Sequence, residues 1–155
     1  MILIFDELDR LRREHNWSAR ELARRAGVPH QTAINVLRGG GLTKNVVKIA
    51  DALGYTVKWR YHDHTGTPRL VLLAGSLAAQ LRFWRIKYYG ASAESLAAPG
   101  LHQRTIREIE LGGASRFATL ERYARLLGLE PTLIQGRNNF MDLRDIENAK
   151  ATATA

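Results

Sequence analysis

Two short stretches concentrate side chains able to make paired hydrogen bonds: His30, Gln31, Thr32 and Asn35, and Gln103, Arg104, Thr105, Arg107 and Glu108. Amides, guanidinium groups and hydroxyls make directed hydrogen bonds and ion pairs, which is recognition chemistry rather than bond-breaking chemistry. Each stretch follows a glycine, in "GVPHQTAINVLRGG" (Gly27 to Gly40) and in "GLHQRTIREIELGG" (Gly100 to Gly113). The chain writes one phrase twice, 73 positions apart, with the same glycines and the same threonine. Over Gly27–Gly39 and Gly100–Gly112 only three of thirteen letters are identical, so the pattern repeats more than the letters.

Other chemistries find less support. His62, Asp63 and His64 are metal-capable, but they stand in turn sequence that offers no fourth ligand, so ordinary turn polarity is the reading and no metal is expected. No serine, histidine and acid have the context of a catalytic triad. No phosphate-binding glycine loop is present. The expectation is a protein that is not an enzyme and carries no cofactor. Trp59, Trp84, Tyr88 and Tyr89 fall on different elements, which suits core or interface better than a base-stacking platform.

The composition narrows the partner. The chain has 155 residues, 45% hydrophobic and 25% charged, which fits one or two small globular domains. It has no cysteine, which fits a reducing cytoplasm. Its start has no basic n-region, and no apolar run approaches membrane-spanning length. The net charge of +8 comes from 23 basic and 15 acidic residues. The excess is +3 in residues 1–54, +2 in 55–76 and +3 in 77–136, and zero in 137–155. Such a balance favours a polyanionic partner.

The elements that must position the polar stretches are mostly helical. Phe5, Leu8 and Leu11 have helical spacing. Ser18 with Glu21 reads as a capping box that opens a second helix, with Leu22, Ala23 and Ala26 on its apolar face, and Gly27 ends it. "HQTAINVLRG" is a third helix with Ala33 and Val36 inward, and "NVVKIADALG" a fourth with Val46, Ile49, Ala50 and Leu53 on one stripe. The second half runs the same course. Leu77, Leu81, Trp84 and Tyr88 line a first helix, and Ser92 caps a second over "AESLAAPG". Ile106 and Ile109 face inward from the third, and Leu120, Tyr123, Ala124 and Leu127 from the fourth. Between the halves, Val57, Trp59 and Tyr61 alternate with Lys58, Arg60 and His62, then "DHTGTP" turns into "RLVLL", which predicts a β-hairpin. The expected domains are therefore 1–54, a hairpin connector at 55–76, and 77–136, followed by a partly disordered tail at 137–155 with a short helix over Met141–Asn148.

A helix, a tight glycine turn and a second helix form a helix-turn-helix. Two of them, each inside a bundle of four to five helices, resemble the lambda-repressor-like, or Xre-type, DNA-binding family. The resemblance covers about residues 3–56 and 77–133, and rests on "SARELARRAGV", "VVKIADALG" and "GLHQRTIREIELG". It implies a mainly α fold in two tandem domains joined by the hairpin. It also implies that the third helix of each unit reads base edges in the major groove. The readers would be His30, Gln31 and Asn35, and Gln103, Arg104 and Glu108, while Thr32, Thr105 and Arg107 would hold phosphate or touch a thymine methyl. Glutamine and asparagine suit adenine, and arginine suits guanine. Ser18, Lys44, Asn45, Ser92 and Arg116 would contact the phosphate backbone. The sequence departs from the family at Ala19 and Ala93, where glutamine often braces the reading helix. Ile34 and Leu37 stand where a reading helix usually shows polar residues, and suit core, thymine methyl or a protein contact.

The function this implies is sequence-specific binding of double-stranded DNA as a transcriptional regulator, with repression by promoter occupancy the simplest form. An antitoxin, an antiactivator-type protein-binding module or a helical-repeat scaffold is the alternative, although two repeats fall short of the three or so that scaffolds need. Two arrangements are open: the chain mimics a dimer internally and favours an asymmetric operator, or two chains pair as a homodimer through an exposed strand edge, which is slightly favoured. A further protein partner is open, no membrane association is expected, and the location is expected to be cytoplasmic, of bacterial, phage or mobile-element origin.

Overall fold

The apolar spacing of the first half becomes four helices in the computed structural model, which describes residues 3–97, 101–112 and 115–136. Helix α1 spans Ile4–Glu14, α2 Ala19–Ala26, α3 His30–Leu37 and α4 Thr43–Ala52. Leu8, Leu22, Ala33, Val36, Val46 and Ile49 are fully buried, so each helix turns its predicted stripe inward. Strands β1, Tyr55–His62, and β2, Pro68–Leu70, follow. Helix α5, Leu77–Trp84, runs on into a π-helical turn at Arg85–Tyr89. Helices α6, Gln103–Glu110, and α7, Phe117–Leu126, and strand β3, Glu130–Gln135, complete the described elements. The predicted tail helix over Met141–Asn148, the low-complexity end, Pro99, Gly100 and Gly113 lie outside the described residues.

The hairpin forms as its alternation and turn chemistry require. Tyr61 faces Arg69 and His62 faces Pro68 across β1 and β2. Asp63 organises the turn: its Oδ1 accepts from the Thr65 and Thr67 amides at 2.9 and 3.1 Å, and its Oδ2 from Arg69 Nε at 3.1 Å. Those bonds, with the Thr65 hydroxyl foremost, hold its carboxyl well below the usual carboxylate range. Asp63 is thereby committed to turn structure.

The hairpin is not a free connector. β1 is the central strand of a three-stranded antiparallel sheet ordered β2-β1-β3. β3 is a strand that hydrophobic alternation did not reveal, and it pairs with the edge of β1 that β2 leaves open. Trp59 is fully buried and donates its Nε1 to Leu77 O at 3.1 Å, fastening the sheet to α5. The buried side chains of α1–α4, the sheet and α5–α7 form one continuous cluster.

Two backbone junctions between the halves share one rule. In the sheet, Lys58 faces Thr132, with Val57 opposite Leu133 and Trp59 opposite Pro131. In the loops before α4 and α7, Leu42 faces Arg116. Both central pairs are 74 positions apart (132 less 58, 116 less 42). An antiparallel pairing in which a residue meets its own counterpart is what a two-fold axis through that pair produces. The loop junction shows the same exchange: the Thr43 amide donates to Ser115 O at 2.9 Å, and the Phe117 amide to Gly41 O at 3.1 Å. The helices follow suit. α4 and α7 each have ten residues and start 74 apart, and α3 and α6 each have eight and start 73 apart.

The correspondence fails at the second helix of the second half. The helix that Ser92 was expected to cap is a turn over residues 93–96. Ser92 Oγ does accept from the Ser95 amide at 3.1 Å, but Ser95 Oγ donates back to Ser92 O at 2.9 Å. Such local side-chain bonding competes with helix.

Candidate nucleic-acid interface

The α2–α3 unit is built by its punctuation. Ser18 takes extended backbone and its Oγ accepts from the Glu21 amide at 3.1 Å. The reciprocal half of the expected capping box is absent among the described hydrogen bonds, because the Glu21 carboxylate turns to arginines. It accepts from Arg24 Nε at 3.0 Å and Arg25 Nε at 2.8 Å. Those bonds, Arg24 first, lower the Glu21 pKa to about 2. Arg25 also lies 4.2 Å from the Trp17 ring centre. Replacing Ser18 by alanine should cost about 1 kcal/mol of stability through the lost cap. A urea midpoint lowered with an unchanged slope would register it.

Gly27 ends α2 with φ of +69°, the left-handed region that a β-carbon resists. Its amide and that of Val28 return to Arg24 O and Ala23 O, which satisfies the last carbonyls and swings the chain into α3. Pro29 then starts α3 with φ of −60°.

On α3, Ala33 and Val36 are buried, and Gln31 and Asn35 are exposed on the other side. Gln31 Nε2 donates to Asn35 Oδ1 at 3.1 Å, so the two amides sit together one turn apart. His30 and Thr32 are half-buried beside them. Leu37 packs against the core, and Ile34 is half-buried. α6 repeats the division, with Ile106 and Ile109 buried and Arg104, Arg107 and Glu108 exposed. Gln103 and Thr105 are half-buried. The Arg104 side chain is 90% exposed and its Nε lies 3.2 Å from Glu108 Oε1. An exposed i,i+4 pair of this kind is weak, so Arg104 is free to exchange it for another acceptor.

The backbone-contact candidates fall in separate places. Lys44 and Arg116 are exposed and Asn45 half-buried, all at the α4 and α7 starts that the Leu42–Arg116 pairing joins. Ser18 is at the N-terminus of α2, and Ser92 in the turn before α6.

A polar group that sequence reasoning missed anchors α6 at its far end. Arg85 Nε and an Arg85 terminal nitrogen bind the two Glu110 oxygens at 2.8 and 2.7 Å, and the Tyr123 hydroxyl donates to Glu110 as well. Three residues on three elements give no local sequence signal. Leu37, the Glu110 counterpart on α3, uses apolar packing instead.

Among the described residues no helix is long and apolar enough to cross a membrane. Neither the curated proteins nor the solved structures contain a match to this chain. Residues 8–60, from α1 into β1, match the family model described as Helix-turn-helix, which supports a DNA-binding regulator of the Xre type over that segment.

Proposed function

We propose that the protein is a sequence-specific regulator of transcription that represses by occupying double-stranded DNA. The reading rests on the exposed amide pair Gln31 and Asn35, set by the Gly27 turn on a helix inside the segment that matches the helix-turn-helix family. In this reading residues 1–54 and 77–136 are two tandem units with 55–76 between them. α3 and α6 each present a first turn to the major groove, and Lys44, Asn45 and Arg116 hold phosphates near the junction. The 74-residue correspondence supports one further step: the chain supplies both halves of a two-fold reader by itself. Gln31 and Asn35 favour adenine, whereas Arg104 favours guanine, so the preferred site is asymmetric. A homodimer would double this arrangement, on surfaces other than the β1 edges.

Selection of bound sequences from a random duplex pool, followed by titration, tests the reading. Affinity should fall steeply as salt rises. Arg104→Ala should weaken specific binding by about 1–3 kcal/mol and relax one operator position. Parental affinity in that variant would remove α6 from the reading surface. A complex of one chain per duplex supports the internal two-fold, and two chains per duplex would replace it with a homodimer.

A second reading, a protein-binding module such as an antitoxin or antiactivator, has one observation in its favour. Phe83, Ile86, Tyr88 and Tyr89 are exposed around the π-helical turn. Failure to retain any duplex at low salt would favour it.

A further inference from the structure

A cleft of about 610 Å³ opens between α4, β1 and the start of α5. That volume falls within the roughly 300–1,000 Å³ of small-molecule sites. Leu42, Val47, Val57, Leu77 and Leu120 give it apolar walls. Lys44, Lys48 and Lys58 also line it, against the single acid Asp51. No ion pair joins any of these lysines to an acid among the described residues. Lys58 is half-buried on the central strand, where burial lowers its pKa from the ordinary value. An unpaired ammonium held there gains from a counter-anion.

We propose that this cleft is an effector site for a small amphipathic organic anion, with its apolar body against Val47 and Leu77 and its charged group at Lys58. The cleft touches both backbone junctions, through Leu42, Thr43 and Ser115 at the loop pairing and Val57 and Lys58 in the sheet. An occupant therefore bears on the relation between the two halves. That regulatory step rests on the DNA-binding reading, whereas the binding step does not.

The probe is 8-anilinonaphthalene-1-sulfonate, an aromatic sulfonate whose fluorescence rises in apolar surroundings, titrated into the folded full chain without DNA. One saturable site is expected. Lys58→Gln should weaken it by about tenfold through the lost charge-assisted contact. Val47→Trp should fill the cleft and abolish binding, and Lys48→Glu, at an exposed position, serves if that variant does not fold. Tyr88→Ala should leave the titration unchanged, because Tyr88 belongs to a different apolar hollow with Tyr61 and Trp84. Binding that does not saturate, that persists in the cleft variants, or that vanishes with Tyr88→Ala overturns the site. Saturating probe should shift duplex affinity by about fivefold or more, within the usual range of allosteric coupling. A bound probe with unchanged duplex affinity overturns the regulatory role. A chain that binds the probe but retains no duplex under any condition overturns the DNA reading and leaves the site standing.

Discussion

Replacing Glu110 by alanine should lower the free energy of unfolding by about 3–5 kcal/mol, because it strands a buried cation. The Glu110 side chain is 4% exposed and that of Arg85 12%. In the intact protein both Glu110 oxygens accept from Arg85 in a forked pair, and Tyr123 donates its hydroxyl to the same carboxylate. Removing the carboxylate leaves the guanidinium with only the Ala91 carbonyl, at 3.0 Å, among its described partners. The fully buried Tyr123 loses its acceptor as well. Urea unfolding measures the loss, and a change below about 1 kcal/mol would mean that the pair is solvated. The double variant Glu110→Leu with Arg85→Met should recover much of it, since apolar replacement of a buried pair is often neutral. Acid gives an independent check. Burial raises the Glu110 pKa, but the bonds from Arg85 and Tyr123 outweigh it, so the folded value lies below the ordinary 4.5. A depressed folded pKa contributes stability that is fully present above the unfolded value and lost as pH falls through the folded one. The parent should therefore lose stability below about pH 4.5, and Glu110→Ala should lack that component.

How far the sequence disclosed this arrangement depends on how local each signal is. The boundaries of α2 and α3 were legible because Ser18, Gly27 and Pro29 act on their own neighbours, and Ala33, Val36, Ile106 and Ile109 declared their buried faces by spacing. The α5 stripe ran true through Leu77, Leu81 and Trp84, then failed at Tyr88. The π-helical turn at Arg85–Tyr89 takes more residues per turn, so Tyr88 leaves the inward face. It is 64% exposed and stacks on Trp84 at 4.7 Å. β3 was hidden because "EPTLIQ" alternates poorly and carries Pro131, which an edge strand tolerates. A signal was nonetheless present: extending the 74-residue correspondence past Leu53 and Leu127 sets Trp59 over Leu133 and Lys58 over Thr132. Gln31, Asn35 and Arg104 could be picked out as polar groups on otherwise apolar-faced helices, and they are exposed. The Arg85–Glu110–Tyr123 group and the lysine-lined cleft arise only from tertiary contact, so no window of sequence contains them.

Phe117→Ala should destabilise the whole chain by about 3–5 kcal/mol, as large-to-small changes at fully buried aromatic positions do. Phe117 opens α7, is fully buried, and meets Phe5 of α1 edge to face at 5.5 Å and 84°. Its amide holds one strand of the loop junction through Gly41 O. The side chain thus fills space shared by the first and last helices. Since the buried cluster is continuous, the loss should spread to both halves. Trp17 reports the first half, Trp59 the sheet shared by both and Trp84 the second half, so fluorescence and circular dichroism should give one coincident transition before and after the change. Two separated transitions in the parent would show that the halves fold independently, and the variant would then spare residues 1–54. A consequence for DNA rests on the proposed two-fold reading. A two-fold reader gains affinity because its second reading helix is already held near the second half-site. Below its melting temperature, the variant should lose about tenfold or more in affinity for the full operator, while its affinity for an isolated half-site stays near the parent's. Equal losses on both duplexes would place the defect in a reading helix rather than in the joint between the halves.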